Sequence, residues 1–288
     1  MASSPTLFVT GAAGHLGQLV IDVLLETTPA SAIVAGVRDP AKQAAVAIRD
    51  KGVEVRIADY ARPETLASAL AGVDRLILIS GTELGQRTAQ HHNVIAAAKD
   101  AGVSLIAYTS VLHADTSQLV LAEEHRETEA VLAASGVPFV LLRNGQYTEI
   151  YTWRLPLALK HGTFIGAAGE GRVSSAARAD YARAAAAVLT SGNHAGRTYE
   201  LAGDASFTLA ELVAVVAKAS GKLMVYENMT AEDFRSAAMK AGVPEMFASM
   251  LSEIDASIAK GALFEPRRVS RRPFGLSYAA KGIWSMAA

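Results

Sequence analysis

The 288-residue sequence contains no cysteine, and this absence excludes disulfide bonds, thiolate zinc sites and cysteine nucleophiles together. It also lacks an excess of charge of either sign, because 27 lysines and arginines stand against 28 aspartates and glutamates. We therefore expect no broad attraction to nucleic acid or to an anionic membrane. No run of about 18 apolar residues occurs, so the sequence predicts no membrane-spanning segment. The first residues carry no basic stretch ahead of the glycines, which argues against a secretory signal and favours a cytoplasmic protein.

Hydrophobic residues make up 51% of the sequence and charged residues 19%, so we expect a sizeable core. Between residues 6 and 142 short apolar runs alternate with stretches of helical spacing, as in βα units. The predicted fold class is therefore α/β, a Rossmann-type doubly wound parallel sheet with strand order 3-2-1-4-5-6. The predicted strands are Thr6–Thr10, Ala32–Val37, Val53–Ile57, Arg75–Ser80, Leu105–Thr109 and Phe139–Leu142. The predicted helices are Leu16–Glu26, Pro40–Lys51, Pro63–Ala71, Gln86–Ala101 and Leu121–Ala134.

Residues typical of helix starts and helix ends support these predicted elements. Asp39 and Pro40 have the form of an N-cap followed by proline at the first helical position. Thr208 and Glu211 form a capping box for a helix from Leu209, and an alanine-rich helix is expected over Tyr181–Leu189. Glycines are placed where helices should end, at Gly52, Gly72, Gly102 and Gly136.

The first predicted strand runs directly into a glycine-rich turn, and a predicted helix follows at once. Glycines let the backbone turn tightly and approach the phosphates of a dinucleotide, while amides at the helix start face the anion. A tight turn without a ligand is the alternative, but its position at the head of six βα units favours dinucleotide binding. The residues that we expect to bind this cofactor are Gly11, Ala12, Ala13, Gly14, His15, Leu16 and Gly17.

Arg38 closes the second predicted strand, where the adenosine ribose of a bound dinucleotide would lie. A guanidinium can bind a 2′-phosphate in bidentate fashion, whereas a carboxylate would repel it. The sequence therefore predicts NADPH over NADH, although Asp39 offers a carboxylate that could bind ribose hydroxyls instead. Further cofactor contacts, with turn formation as the alternative, are expected after the third and fourth strands, at Asp59, Tyr60, Ser80, Gly81 and Thr82.

The alternating pattern gives way to longer connections after about residue 145. We predict an NADP-binding domain over residues 1–145 and a smaller substrate-binding α/β lobe over residues 146–288, packed on the same core. The tail contains a basic cluster for which a solvated surface is the simpler interpretation and a phosphate contact the alternative. Its members are Arg267, Arg268, Arg271 and Arg272.

The sequence lacks several well-known catalytic motifs. None of the eight tyrosines has a lysine four residues later, so the proton-donating pair of ordinary short-chain dehydrogenases is absent. HExxH and GxSxG motifs are also absent, which disfavours zinc and hydrolase chemistry, and we expect His91, His92 and His125 to be surface or capping residues. A nicotinamide cofactor without a strong proton donor suits a small planar quinone. Hydride addition then yields an aromatic hydroquinone whose oxygens can take protons from water or a nearby hydroxyl.

A set of ordered motifs covering most of residues 6 to 261 resembles the NmrA-like atypical short-chain dehydrogenases, specifically the bacterial NAD(P)H:quinone oxidoreductases of type 2. Triphenylmethane dye reductases are a sister group that the sequence also resembles, but HADTS and IGAAGEG are closer to the quinone reductases. The matching segments are GAAGHLGQLVI, PASAIVAGVRDPAK, ADYARPETLASAL, GQRTAQHHNVIAAAKDAGV, IAYTSVLHADTS, LLRNGQYTEIY, HGTFIGAAGEG, ARADYA and YELAGDASFTLAEL.

This resemblance implies NADPH-dependent two-electron reduction of quinones without flavin or metal. It implies Gly11–Leu16, Arg38 and Ser80–Thr82 as cofactor ligands. Tyr147 is the candidate to touch the acceptor, with packing of its ring as the alternative. The tail from Glu265 matches poorly, and a homodimer remains open. Other family functions are a non-catalytic NADP(H) sensor and a reductase of dyes or other flat acceptors. The segment implied to lie beside the nicotinamide is Asn144, Gly145, Gln146, Tyr147, Thr148 and Glu149.

Overall fold

The computed structural model describes residues 5–266, which divide into two compact units. One unit comprises the residues up to Asp115 together with Leu121–Asn144 and Arg178–Leu201. The other comprises Thr116–Val120, Gly145–Ala177 and the residues from Ala202 onward. The four arginines of the basic tail cluster lie outside the described residues. Within residues 5–266, the helices are too short or too polar to traverse a lipid bilayer.

The first unit contains a seven-stranded parallel sheet in the order β3-β2-β1-β4-β5-β6-β8. This confirms the α/β fold class, the six predicted strands and their predicted order. The sheet strands are β1 Leu7–Val9, β2 Ile33–Val37, β3 Glu54–Ile57, β4 Arg75–Leu78, β5 Leu105–Val111, β6 Phe139–Asn144 and β8 Thr198–Leu201. β1, β2 and β5 are buried along their whole length, as central strands covered on both faces should be.

The helices that accompany this sheet follow the predicted pattern with one difference. They are α1 His15–Leu25, α2 Gln43–Asp50, α3 Pro63–Ala69, α4 Arg87–Asp100, α5 Val120–Ser135 and α8 Arg178–Thr190. The glycines predicted to end helices all have φ between 72° and 83°, which confirms that role: Gly52, Gly72, Gly102 and Gly136.

The expected helix start at Asp39 and Pro40 is wrong. Helix α2 begins at Gln43 with Lys42 as its N-cap. The Asp39 carboxylate instead accepts a hydrogen bond from the Ala41 amide at 2.9 Å, which closes a local turn. An aspartate side chain that satisfies the backbone two residues ahead favours a turn over a helix, and the helix begins later for that reason.

The chain returns to the first unit at residues 178–201, so this unit is made of separate segments. The predicted division had placed a continuous first domain before residue 146. Strand β8 pairs with β6, and the Arg75 guanidinium on β4 donates to the carbonyls of Leu189 and Ser191, both at 2.7 Å. Helix α8 is the predicted alanine-rich helix, and most of its residues are buried. Helix α8 and strand β8 therefore belong to the first unit, whose sheet β8 extends.

The described residues of the second unit form a two-stranded parallel sheet and five helices. Its sheet pairs β7 Thr163–Gly166 with β9 Val225–Asn228. The predicted capping box at Thr208 and Glu211 is confirmed, and Arg154 stacks over the rings of Phe164 and Phe234 at 4.3 Å and 5.0 Å. The helices of this unit are α6 Glu149–Thr152, α7 Leu155–His161, α9 Leu209–Ser220, α10 Ala231–Lys240 and α11 Glu245–Ala259.

Candidate cofactor site

The glycine turn, defined as residues 11–17, connects the end of β1 to the first turn of α1. Gly11 has φ of +56°, a backbone conformation that favours glycine. Gly14 is the N-cap of α1 and makes no side-chain capping hydrogen bond, and the first turn holds no acidic residue. The amides at the start of α1 are therefore not capped by a side chain and can face an anion.

Gly17 allows the helix to lie against the turn. A Cβ atom at Gly17 would stand 2.4 Å from the Gly11 carbonyl oxygen and 2.7 Å from Ala12 Cα, both backbone atoms with little freedom to move. The turn is further fixed by backbone hydrogen bonds from Ala12 to the Gly36 carbonyl at 3.0 Å and from Gly14 to the Gly11 carbonyl at 2.9 Å. The geometry of this turn is thus set by main-chain atoms.

The predicted residues of the turn divide by exposure. Ala12, Leu16 and Gly17 are buried and serve packing, whereas Gly11, Gly14 and His15 are exposed and can meet a ligand. Positive φ at the first glycine, an uncapped helix start and close backbone packing at the third glycine fit the pyrophosphate of a dinucleotide.

Arg38 follows β2 directly, and its guanidinium forms an ion pair with a residue that the sequence did not single out. Arg38 Nη1 lies 2.7 Å from Glu83 Oε1. The second oxygen of Glu83 accepts a hydrogen bond from Gln90 Nε2, also at 2.7 Å. The hydrogen bond from the Gln90 amide, and to a smaller extent the Arg38 guanidinium, holds the pKa of Glu83 below its usual range against the opposing effect of desolvation. The carboxylate is therefore an anion at neutral pH.

Asp59 and Tyr60 both take part in the structure of the connection after β3. Asp59 Oδ1 accepts a hydrogen bond from the Ala61 amide at 3.1 Å, which closes a turn. The Tyr60 hydroxyl donates to the Ile79 carbonyl at 2.8 Å, and burial raises the pKa of this tyrosine. These contacts account for both residues as structural groups, and their contact with the cofactor stays a prediction.

The β4–α4 loop, defined as residues 80–86, is held mainly by side chains of α4 and α5. Arg87 Nε donates to the Gly81 carbonyl at 2.8 Å, and Arg87 Nη1 pairs with Glu124 Oε2 at 3.0 Å. The other Glu124 oxygen accepts from the Gly85 amide at 2.9 Å. Ser80 donates its amide to the Thr109 hydroxyl at 2.9 Å, and Thr82 is exposed. The largely buried Arg87–Glu124 pair thus fixes both ends of the loop.

His91 is buried beneath this loop, so the expectation of a surface or capping residue is wrong. Its Nε2 accepts a hydrogen bond from the Gly81 amide at 2.9 Å, so the proton belongs on Nδ1, which lies 3.0 Å from the Thr128 hydroxyl. Burial lowers the pKa of His91 to about 3, so the ring is neutral at physiological pH. A sequence signal existed, since Val94, Ile95 and Ala98 share the helical face of His91.

His125 is also buried, and the same expectation is wrong for it. Its Nδ1 lies 2.6 Å from the Tyr108 hydroxyl, and burial lowers the pKa of His125 to about 3. His92 is exposed, as expected. In the described part of the chain, no group of three or more histidine, aspartate or glutamate side chains is arranged to hold a metal ion.

Asn144 ends β6 in the first unit. Its main-chain carbonyl accepts from the Leu112 amide at 2.9 Å, but its side-chain oxygen is buried and has no hydrogen-bond partner. Buried acceptors are normally satisfied, so this oxygen lacks the donor that such an atom usually has. Among the predicted cofactor residues of the first unit, Asn144 is the one with a buried side-chain atom that makes no hydrogen bond.

Residues 145–149 belong to the second unit. The Ala176 amide donates to the Gln146 carbonyl at 3.1 Å, and the Thr148 amide donates to the Ala176 carbonyl at 2.9 Å. Tyr147, which lies between Gln146 and Thr148, is thereby paired with Ala176 in a parallel β-bridge. The Thr148 hydroxyl lies 3.0 Å from that of Ser175, and Glu149 begins α6. This backbone pairing fixes the segment. The role of Tyr147 towards an acceptor stays a prediction.

Comparison with known proteins gives consistent matches. A sequence-family model described as NAD(P)H-binding matches residues 11–192. Quinone oxidoreductase 2 of Escherichia coli (strain K12) is 52% identical over 267 residues, which are 93% of each chain. The crystal structure of the E. coli NADPH-dependent quinone oxidoreductase complexed with NADPH has a TM-score of 0.93 at 49% identity, covering 98% of this chain and 100% of that one. The Citrobacter sp. triphenylmethane reductase complexed with NADP(H) has a TM-score of 0.93 at 38% identity, with the same coverage. The resemblance inferred from the motifs is confirmed.

Proposed function

The chain belongs to the NAD(P)H-binding family, and we propose that it catalyses the NADPH-dependent two-electron reduction of quinones by direct hydride transfer, without flavin or metal. The observation that carries this proposal is the likeness, over almost the whole chain, to the E. coli quinone oxidoreductase. The uncapped, glycine-lined start of α1 and the guanidinium that follows β2 support the cofactor.

The cofactor would be held by main-chain amides of the glycine turn and by Arg38. The turn offers N–H donors to the pyrophosphate, and Arg38 offers a cation to the 2′-phosphate. The unsatisfied Asn144 side-chain oxygen is an acceptor suited to an amide N–H. When bound, NADPH supplies the hydride. Asp59, Tyr60 and the residues Ser80–Thr82 are proposed as further cofactor contacts.

The acceptor is proposed to be a small planar quinone. The sequence has no tyrosine paired with a lysine four residues later, so a substrate that needs a strong proton donor is disfavoured. Orientation of a flat acceptor then supplies most of the catalysis. We propose that Tyr147 and the segment from Asn144 to Glu149 contribute to that orientation.

A spectrophotometric assay tests the proposal. The purified protein is mixed with NADPH, and the absorbance of the reduced nicotinamide is followed with and without 1,4-benzoquinone. We expect oxidation faster than the uncatalysed rate and dependent on both reactants. Binding of NADPH without quinone-dependent oxidation would instead favour a non-catalytic NADP(H) sensor.

Two further arms refine the acceptor. A panel of quinones and triphenylmethane dyes ranks the acceptors, and the relation to a triphenylmethane reductase makes dyes the second candidate class. Tyr147→Phe keeps the ring and removes the hydroxyl. A lower kcat at unchanged KM would support a role for the hydroxyl, and unchanged kinetics would support packing.

Other expectations remain predictions. We propose a cytoplasmic location, no nucleic-acid partner and no membrane association, on the basis of the balanced charge and the absence of a long apolar run in the sequence. We also keep the division into an NADP-binding domain and a smaller substrate lobe, and size-exclusion chromatography with light scattering would decide between a monomer and a homodimer.

A further inference from the structure

We propose that the Glu83 carboxylate competes with the 2′-phosphate of NADPH for the Arg38 guanidinium and thereby limits the preference for NADPH over NADH. This inference rests on the proposed function, because it takes Arg38 as the ligand of the phosphate. It assigns a specificity role to Glu83, which is part of the β4–α4 loop and which the sequence motifs did not single out.

The pair joins two segments that are distant in sequence. Arg38 Nη1 lies 2.7 Å from Glu83 Oε1, and the two side chains are 65% and 47% exposed. A guanidinium that is open to solvent on most of its surface can receive a ligand without opening the core. The contact already satisfies one donor of Arg38 before any nucleotide arrives.

Glu83 differs from a mobile surface glutamate because its second oxygen is anchored. Gln90 is buried, and its amide donates to Glu83 Oε2 at 2.7 Å. The β4–α4 loop around it is held by the hydrogen bonds of His91 and of the Arg87–Glu124 pair. Ordering of the carboxylate is therefore supplied largely by the loop, which removes part of the entropy cost that weakens most exposed ion pairs.

Two arrangements are open to Arg38 when a 2′-phosphate binds. The phosphate can replace Glu83, in which case the ion pair is lost. Alternatively the phosphate can share the guanidinium with Glu83, in which case two anions lie close together. Both arrangements lower the affinity for NADPH. NADH carries a neutral 2′-hydroxyl at that position, so the effect on NADH is smaller.

The test compares Glu83→Gln with a charge-matched control, Asp22→Asn. Asp22 pairs with Lys51, its side chain is 48% exposed, and it lies on α1 beyond the first turn that faces the site. Each variant removes one carboxylate of an exposed pair, so both change the net charge equally. Dissociation constants for NADPH and NADH are measured by nucleotide fluorescence at low and at high salt.

For Glu83→Gln we expect NADPH to bind about two- to fivefold more tightly at low salt, the range that an exposed ion pair can supply. Binding of NADH should stay close to that of the unmodified protein, and the gain for NADPH should shrink as salt screens the charges. Asp22→Asn should change neither constant. Melting temperatures verify that all variants are folded.

A third variant, Arg38→Ala, separates this inference from the proposed function. If Arg38→Ala weakens NADPH selectively but Glu83→Gln leaves NADPH unchanged or weaker, the competition is refuted while the phosphate role of Arg38 survives. If Glu83→Gln weakens NADH selectively, Glu83 binds the ribose of NADH instead, which also overturns the inference. If Arg38→Ala has no effect on NADPH, the phosphate assignment fails and the inference fails with it.

Discussion

The glycine turn and the β4–α4 loop are both predicted to contact the cofactor, yet they are built in different ways. The turn is shaped by main-chain hydrogen bonds such as that from Ala12 to Gly36, and by the room left at Gly17. The loop is held by side chains from α4 and α5, above all by Arg87, His91 and Glu124. The first kind of segment can be recognised from a local pattern, and the second depends on residues up to about forty positions away.

Removing the Glu124 carboxylate should lower the stability of the protein more than any change in the glycine turn. In Glu124→Leu the buried Arg87 guanidinium loses its ionic partner, and the Gly85 amide loses its acceptor. We expect the free energy of unfolding, measured in urea, to fall by about 3 to 5 kcal/mol. Glu64→Leu is the control, since Glu64 forms an exposed pair with Arg62, and it should lose far less stability than Glu124→Leu. Equal stability of the two variants would mean that side chains do not hold the loop.

The pH dependence of stability tests the buried histidine under the loop. The folded-state pKa of His91 is about 3, below the unfolded value near 6.5, so the unfolded state binds the proton more readily and stability falls as pH drops from about 6.5 towards 3. His91→Gln should reduce the slope of unfolding free energy against pH by up to about 1.4 kcal/mol per pH unit in that window.

His92→Gln is the matched control for this measurement, because His92 is the exposed neighbour on the same helix. Its slope should match that of the unmodified protein. A slope for His91→Gln that is also unchanged would contradict a neutral, buried imidazole that accepts the Gly81 amide.

The turn itself is tested by Gly17→Ala. The added Cβ would meet backbone atoms of Gly11 and Ala12, so we expect a loss of about 1 to 3 kcal/mol in unfolding free energy together with weaker NADPH binding. Gly192→Ala is the control, because a Cβ at that position has no atom within 4 Å. If both variants behave alike, close main-chain packing at the turn is not needed.

The sequence predicts those elements whose cause is local. Strands β1, β2 and β5 are mostly apolar and buried along their whole length, and the glycines that end the helices have the positive φ that glycine favours. Strand β8 was not predicted, because Tyr199 and Glu200 are only half-buried at the edge of the sheet and give no apolar run. The helix start at Asp39 was wrong because the carboxylate closes a turn.

Parts of the candidate site could not be predicted because they arise from long-range placement. The Arg38–Glu83 pair joins residues on different βα units, and no local pattern indicates it. The buried state of His91 could have been predicted from the apolar residues on its helical face, but its bond to Gly81 could not. Main-chain geometry at the turn was thus predictable, while the side-chain supports of the loop were not.

Calorimetric titration shows whether the glycine turn and the Arg38 guanidinium together bind NADPH, with no acceptor present. NADPH and NADH are titrated into the unmodified protein and into Arg38→Ala. We predict saturable binding of NADPH to the unmodified protein and a loss of about 1 to 3 kcal/mol for NADPH in the variant, with little change for NADH. Equal losses for the two nucleotides would mean that Arg38 does not bind the 2′-phosphate, and no saturable heat with either would mean that the turn does not bind a nicotinamide dinucleotide.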